Sequence, residues 1–362
     1  MNNKTPLIWL VIGDKPGDNA QIEILAEALE LPYEIRRLIP KPEFVLGKPR
    51  YKISLEHLDP EKSDELEPPW PDLIITIGRR PSMAALWIQE QSDNACKIVL
   101  LGRPKRWEEK FSLIILSPQH LMQSSLKTIR LNFPLMRVSN DTIAQARKQW
   151  RQPLSSLPKP LTAVMLGGPT FPFKLNTKVV EKLLNGINKH YQEGTIYLTT
   201  SRRTPESVTK YIKNNLPDNA ILYCWKPNDT NNPYTGLMAL ADQFIVTGDS
   251  ISMMVEIAKS GNPLIIFELP YRKTIFSFFQ QKYIKVLSHF DRNHIVHHIL
   301  LLLIKLGLLR YPRDLTAMQK ILYEKKLAAP FGHPFITNSA LFDNELQTVI
   351  DAIKRELFYN CH

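Results

Sequence analysis

Short, uninterrupted apolar runs alternate with segments of helical periodicity along the whole chain. In the first 150 residues the runs are LIWLVI (7–12), YEIRRLI (33–39), LIITI (73–77), KIVLL (97–101) and SLIIL (112–116). Runs of this length without polar alternation are strands covered on both faces, which predicts a parallel sheet between helices. The helical patterns lie at 20–29, 82–91 and 141–150. Residues 40–71, rich in proline and charge, predict a long surface excursion.

The segment RQPLSSLPKP (151–160) breaks the pattern and reads as a linker. The alternation then restarts, with strands at 161–167, 195–200, 220–225, 243–248 and 264–269. Helices intervene at 175–192, 205–215, near 237 and at 251–260. The last periodic segment, 343–357, has Asp343 as its N-cap and places Leu346, Val349, Ile350, Ile353 and Leu357 on one face. The expected organisation is a first α/β domain over 1–150, the linker, a second α/β domain over 161–340, and a closing helix over 341–362 that returns to the first domain. No repeat of solenoid length occurs.

With 362 residues the chain is long enough for two cores. Its net charge of +11 calls for an anionic partner. Residues 1–150 hold 21 basic and 19 acidic side chains, 151–362 hold 25 and 16, so the surplus sits in the second half. Cys96, Cys224 and Cys361 show no CxxC spacing, which suits a reducing compartment. The apolar run at 7–12 is too short for a signal peptide, and the run at 299–309 is interrupted by Lys305 and Gly307. A cytoplasmic protein is expected.

Turns that follow strands and precede helices supply the candidate chemistry, because helix-start amides receive anions and glycine admits close approach. In the first half these are Gly13-Asp14-Lys15-Pro16-Gly17-Asp18 and Gly78-Arg79-Arg80-Pro81-Ser82. Asp18 could simply cap its helix. Arg79 and Arg80 beside a helix N-terminus are unfavourable unless an anion or an acidic side chain compensates. In the second half the turns are Gly167-Gly168-Pro169-Thr170, Thr199-Thr200-Ser201-Arg202-Arg203-Thr204 and Thr247-Gly248-Asp249-Ser250-Ile251-Ser252-Met253. Ser250, Ser252 and the following amides suit a diphosphate, and Glu256, further along the helix, suits ribose hydroxyls. Neither GxGxxG nor GxxxxGK[ST] occurs, which excludes a standard dinucleotide site or P-loop.

The segments VTGDSISMMVEIAKSGNPLIIFELP, IGDKPGDNAQIEILAEAL, PDLIITIGRRPSMAALWI and LTTSRRTPES resemble the plant mitochondrial-fission (elongated mitochondria) family and its bacterial relatives, which look like glycosyltransferases of the GT-B type. The helix ending in Glu256 is also similar to the donor segment of the transferases that make lipid-linked peptidoglycan precursors. The resemblance implies a GT-B-like fold: two Rossmann-type, doubly wound domains whose parallel sheets face a central cleft. It implies a nucleotide-sugar donor on the second domain, with Glu256 at the ribose and the Gly248–Ser252 turn at the diphosphate. It puts the Gly13–Asp18 loop, with Gly13, Gly17 and Asp18, where such enzymes meet acceptors, and Arg79 and Arg80 join it as acceptor-side candidates on the helix-dipole argument alone.

Metal-independent transfer needs cations at the leaving diphosphate and a base at the acceptor hydroxyl. Arg202 and Arg203 fit the first role and Asp14 the second; no DxD motif or other cofactor signal is present. The expected acceptor is a glycolipid or other cell-envelope saccharide. A nucleotide-sugar epimerase and a non-catalytic membrane adaptor are the competing readings. His294 and His298 stand at i,i+4 beside His297, a spacing that more often packs than binds metal. The basic and aromatic run at 271–290 is readable as core, as a helix on an anionic membrane at the inner face of the cell, or, disfavoured, as a nucleic-acid contact.

Overall fold

The computed structural model describes residues 5–45, 52–104, 106–122, 125–136, 139–289, 295–305, 309, 313–336 and 345–358. The elements in chain order are β1 (Ile8–Ile12), α1 (Pro16–Leu29), β2 (Glu34–Arg37), α2 (Pro42–Val45), β3 (Leu73–Ile77), α3 (Arg79–Gln91), β4 (Lys97–Leu101), β5 (Leu113–Leu116) and β6 (Thr128–Arg130). There follow α4 (Asn140–Ser155), β7 (Leu161–Met165), α5 (Thr177–His190), β8 (Thr195–Thr199), α6 (Glu206–Asn214), β9 (Ala220–Tyr223), α7 (Tyr234–Leu240), β10 (Gln243–Thr247), α8 (Ile251–Lys259) and β11 (Leu264–Phe267). The chain closes with α9 (Ile275–His289), α10 (Ile295–Lys305), α11 (Ala317–Glu324), β12 (Ala329–Pro330) and α12 (Glu345–Phe358). They form two compact units: Met1–Met136 with Leu287–Arg313 and Asp343–His362, and Arg137–Val286 with Asp314–Phe342.

The first unit holds a six-stranded, all-parallel sheet in the order β2-β1-β3-β4-β5-β6. Alternate residues of its apolar runs serve opposite faces. Leu10, Ile12, Ile75 and Val99 pack with Ile22 and Leu25 of α1 and with Val349, Ile350 and Ile353 of α12. Trp9, Val11, Ile74 and Ile98 pack with Met83, Leu86 and Ile88 of α3. Burial on both faces is why these strands carry no polar alternation. The excursion after β2 is strapped along the sheet edge: the amides of Arg37 and Ile39 donate to Asp64 Oδ2 at 2.7 Å and to Ser63 Oγ at 2.9 Å. That covers an edge otherwise open to pairing.

The second unit holds another all-parallel sheet, in the order β12-β11-β10-β7-β8-β9. Val164, Ile196, Leu198 and Ile245 form one face with Leu183 and Ile187 of α5 and Val208 and Ile212 of α6. Both sheets are Rossmann-like, so the chain has a GT-B-like two-unit α/β fold.

Residues 151–155, expected in a linker, are the last turn of α4, which passes through Pro153. That helix belongs to the second unit, so the boundary falls near residue 137 and not at 150. The cause is packing: Gly236 of α7 has no room for a Cβ, which would lie 2.3 Å from Cγ of Trp150. An indole thus seats directly on the α7 backbone. Asp343, the expected cap of the closing helix, lies outside the described residues.

Candidate functional site

In each sheet the strand order reverses beside the first strand of its unit, and ligand crevices of open α/β sheets lie outside the carboxyl ends at such a point. In the second unit the reversal falls between β7 and β10. The turns that follow them, Gly167-Gly168 and Gly248-Asp249-Ser250, are drawn together. The Gly167 amide donates to Thr247 Oγ1 at 2.8 Å and the Gly168 amide to Asp249 Oδ2 at 2.9 Å. A Cβ on Gly167 would stand 2.1 Å from Ser250 Oγ, and one on Gly168 would stand 2.4 Å from Cβ of Arg203. These glycines permit the two turns to touch, a packing role distinct from ligand approach.

Asp249 is the hub. Its carboxylate also accepts from Thr247 Oγ1 at 2.8 Å and pairs with Arg203 Nη2 at 3.1 Å. Burial pushes its pKa up, against the pull of the Gly168 amide, the Thr247 hydroxyl and the Arg203 charge. Arg203 reaches on to Thr170 Oγ1 and, at 3.4 Å, to Ser250 Oγ, while 44% of its side chain remains exposed. Ser201 Oγ and Thr204 Oγ1 donate to the Gly167 carbonyl at 3.0 and 2.7 Å. Thr200 braces the sheet instead, accepting from the Trp225 amide at 2.8 Å. Arg202 is exposed and makes no hydrogen bond or ion pair among the described residues.

Helix α8 begins just beyond this hub. Ser250, its N-cap, makes no side-chain cap bond and is buried, and Gln319 Nε2 ties down the Gly248 carbonyl at 2.7 Å. The first-turn amides of a helix have no intrahelical acceptor, so α8 presents an uncapped positive end beside Arg203. Ser252 is exposed in that turn and Met253 is half-buried. One turn on, Glu256 Oε2 accepts from the hydroxyl of Tyr234 on α7. Burial raises the Glu256 pKa, opposed by that bond, and burial with the neighbouring carboxylate holds the Tyr234 phenol well above its usual range. The phenol therefore stays a donor and fixes the carboxylate in one orientation.

In the first unit the reversal falls between β1 and β3. The two turns predicted there line one cavity of about 140 Å³, with Gly13, Asp14, Lys15, Asp18, Gly78, Arg79 and Arg80 in its wall. Arg80 Nη2 contacts Asp14 Oδ1 at 2.7 Å, so an acidic side chain compensates that arginine at the start of α3. Asp18 does not cap α1; the N-cap is Lys15, and Asp18 sits in the first turn 3.8 Å from Lys15 Nζ. The cap-like role belongs to Asn19, whose amide exchanges bonds with the Gly13 carbonyl (2.9 Å) and amide (3.3 Å). Gly17, with nothing within 4 Å of a built Cβ, is not held there by packing.

Sequence reasoning missed Gln319 and Tyr234, single polar residues whose partners lie far along the chain, and gave Thr204 and Thr247 no role of their own within the predicted turns. Among the described residues no three His, Cys, Asp or Glu side chains come together to hold a metal. His294 lies outside the described residues. No helix among the described residues is long and apolar enough to cross a membrane. On α9, Ile275, Phe278 and Phe279 are 78%, 54% and 62% exposed, so the core reading fails for these three, and Lys282 Nζ lies 4.7 Å over the Phe278 ring.

The fold and the two turn clusters define a GT-B-like protein of two Rossmann-type units. The family model described as Mitochondrial fission ELM1 matches residues 16–289, and the chain belongs to that family. It is 30% identical over 302 residues to the protein RP120 of Rickettsia prowazekii, covering 73% of this chain and 83% of that one. It is 24% identical over 235 residues to Mitochondrial fission protein ELM1 of Arabidopsis thaliana, covering 58% of this chain and 55% of that one. Among solved structures it is similar to Acinetobacter baumannii MurG, with a TM-score of 0.44, 12% identity and coverage of 97% and 99% of the two chains. A UDP-GlcNAc 2-epimerase of Methanocaldococcus jannaschii aligns with a TM-score of 0.46, 11% identity and coverage of 96% and 99%.

Proposed function

We propose that the protein is a metal-independent glycosyltransferase of GT-B type that binds a nucleotide-sugar donor on its second unit. The observation that carries this reading is the uncapped start of α8, flanked by Arg203 on one side and by the Tyr234-fixed Glu256 on the other. The amides of α8, with Ser252, receive the diphosphate, and Arg203 and Arg202 supply positive charge as the leaving group gains negative charge. Oε1 of Glu256 accepts from ribose while Oε2 stays with Tyr234. Asp14, paired with Arg80, takes the acceptor proton. The acceptor is a cell-envelope glycolipid or saccharide, reached by peripheral contact of α9 with an anionic membrane on the cytoplasmic side.

A thermal-shift screen of nucleoside diphosphates and nucleotide sugars tests it, since a ligand that binds only the native state raises its apparent stability. A rise in Tm with at least one of them is expected; none across the set overturns the reading. Product analysis then separates the chemistries. A transferase leaves its donor unconverted until an acceptor is added, whereas an epimerase converts it alone.

A further inference from the structure

The carboxyl edge of the first sheet carries a second set of cations besides Arg79 and Arg80. Arg103 follows Gly102 at the end of β4, His120 lies in the turn after β5, and Arg130 ends β6. Arg313 joins them through an antiparallel backbone bridge to His120. Arg130 Nη1 donates to the His120 carbonyl at 3.2 Å, and its Nη2 donates to the Met122 carbonyl. Gly102, at φ +102°, runs so near the imidazole that a Cβ there would lie 3.8 Å from its Cε1. Three guanidinium groups from separate stretches of chain thus gather around one ring.

The polar groups between them are incompletely used. His120 Nδ1 is buried without a hydrogen-bond partner, and so is Oε1 of Gln119, a residue only 8% exposed. Burial and the charges of Arg313, Arg103 and Arg130 hold the His120 pKa down to about 3, so the ring is neutral at physiological pH. Among the described residues the Asp18 carboxylate acts on Arg313. Gathered like charges repel, and the planar fork of arginine matches phosphate oxygens. A neutral imidazole adds an N–H donor without adding charge.

We propose that this cluster is a phosphate-binding site in which Arg103, Arg130 and Arg313 hold a phosphoryl or diphosphate group and His120 donates to it through Nδ1–H. The site uses first-unit residues alone. That its occupant is a phosphorylated acceptor rests on the transferase reading above.

The test follows the nine histidine ring signals of the full chain by NMR, with His120 assigned by its loss in His120→Gln. Inorganic pyrophosphate and phosphatidylglycerol vesicles are the two probes. Saturable movement of the His120 signal with pyrophosphate, and a His120 pKa that rises in its presence, are expected. Arg313→Gln weakens the response by about tenfold or more, as charge-assisted hydrogen bonds are lost. Movement with vesicles alone assigns the phosphate to a lipid headgroup. A His120 signal that ignores both probes overturns the proposal, as does a response unchanged in both Arg313→Gln and Arg103→Gln. Nucleotide binding is read at Glu256 in the other unit, so either assignment can fail without the other.

Discussion

Arg203 Nη2 lies 3.1 Å from Oδ2 of Asp249, a carboxylate with no solvent exposure, while 44% of the arginine side chain faces solvent. The buried partner fixes the exposed one. Asp249 in turn holds the Gly168 amide and the Thr247 hydroxyl, so a single carboxylate ties together the turns after β7, β8 and β10. On the proposed transferase reading, a cation held this way is preorganised for charge developing on the leaving group, which is where electrostatic catalysis gains most.

Asp249→Ala removes the acceptor of four donors at once, the Gly168 amide, the Thr170 and Thr247 hydroxyls and Arg203. The expected loss is about 3 kcal/mol, the range for stripping a buried charged acceptor from its partners. Urea denaturation at unchanged m-value measures it, and an unshifted midpoint would sink the hub assignment.

Two glycines of the predicted turns separate sharply. Gly167→Ala forces a methyl to within 2.1 Å of Ser250 Oγ and 2.4 Å of Asp249 Oδ1, an overpacking cost of about 1–3 kcal/mol. Gly17→Ala places its methyl in open space within α1, where helix propensity favours alanine by up to about 1 kcal/mol. Opposite signs in the two melting-temperature changes are expected; a stabilised Gly167→Ala would contradict the close contact of the two turns.

The long strands and the principal helices were legible because burial on both faces leaves continuous apolar runs, and helix faces leave a 3.6-residue period. Short elements were not: β6 and β12 have three and two residues, too few for any period, and α11 has eight. The turns after β1, β3, β7, β8 and β10 were legible as glycine-containing or hydroxyl-rich breaks. What each residue does in them was less so. Asp18 and Asn19 are adjacent, and only the backbone path decides which one meets Gly13. Likewise Tyr234 owes its role to a carboxylate 22 residues away.

His120 makes stability depend on pH. Its folded pKa of about 3 lies below the ordinary 6.5, so between those values the unfolded chain binds the extra proton. The His120 contribution is complete above pH 6.5 and falls as the solution is acidified. From pH 7 to pH 5 the loss is about 2 kcal/mol. Denaturation of wild type and His120→Gln at both pH values isolates it; equal pH dependence in the two proteins would contradict the buried, cation-flanked ring.

Helix α9 predicts a membrane contact. Phe278→Ser with Phe279→Ser removes two exposed aromatic side chains, each worth about 1.5–3 kcal/mol when fully buried. Co-sedimentation with phosphatidylglycerol vesicles is expected to fall by about tenfold or more, and added salt to weaken wild-type binding through the screening of Lys282 and its neighbours. Sedimentation that is the same in both proteins would remove the membrane from the account.

Nucleotide binding at α8 is tested most directly by calorimetric titration of wild type and Glu256→Gln with the nucleoside diphosphate that gives the largest thermal shift. Saturable binding by wild type and about tenfold weaker binding by the variant are expected, through loss of one charge-assisted hydrogen bond to ribose. Equal affinity in the two proteins, or no binding by wild type, would contradict a nucleotide-sugar site at α8.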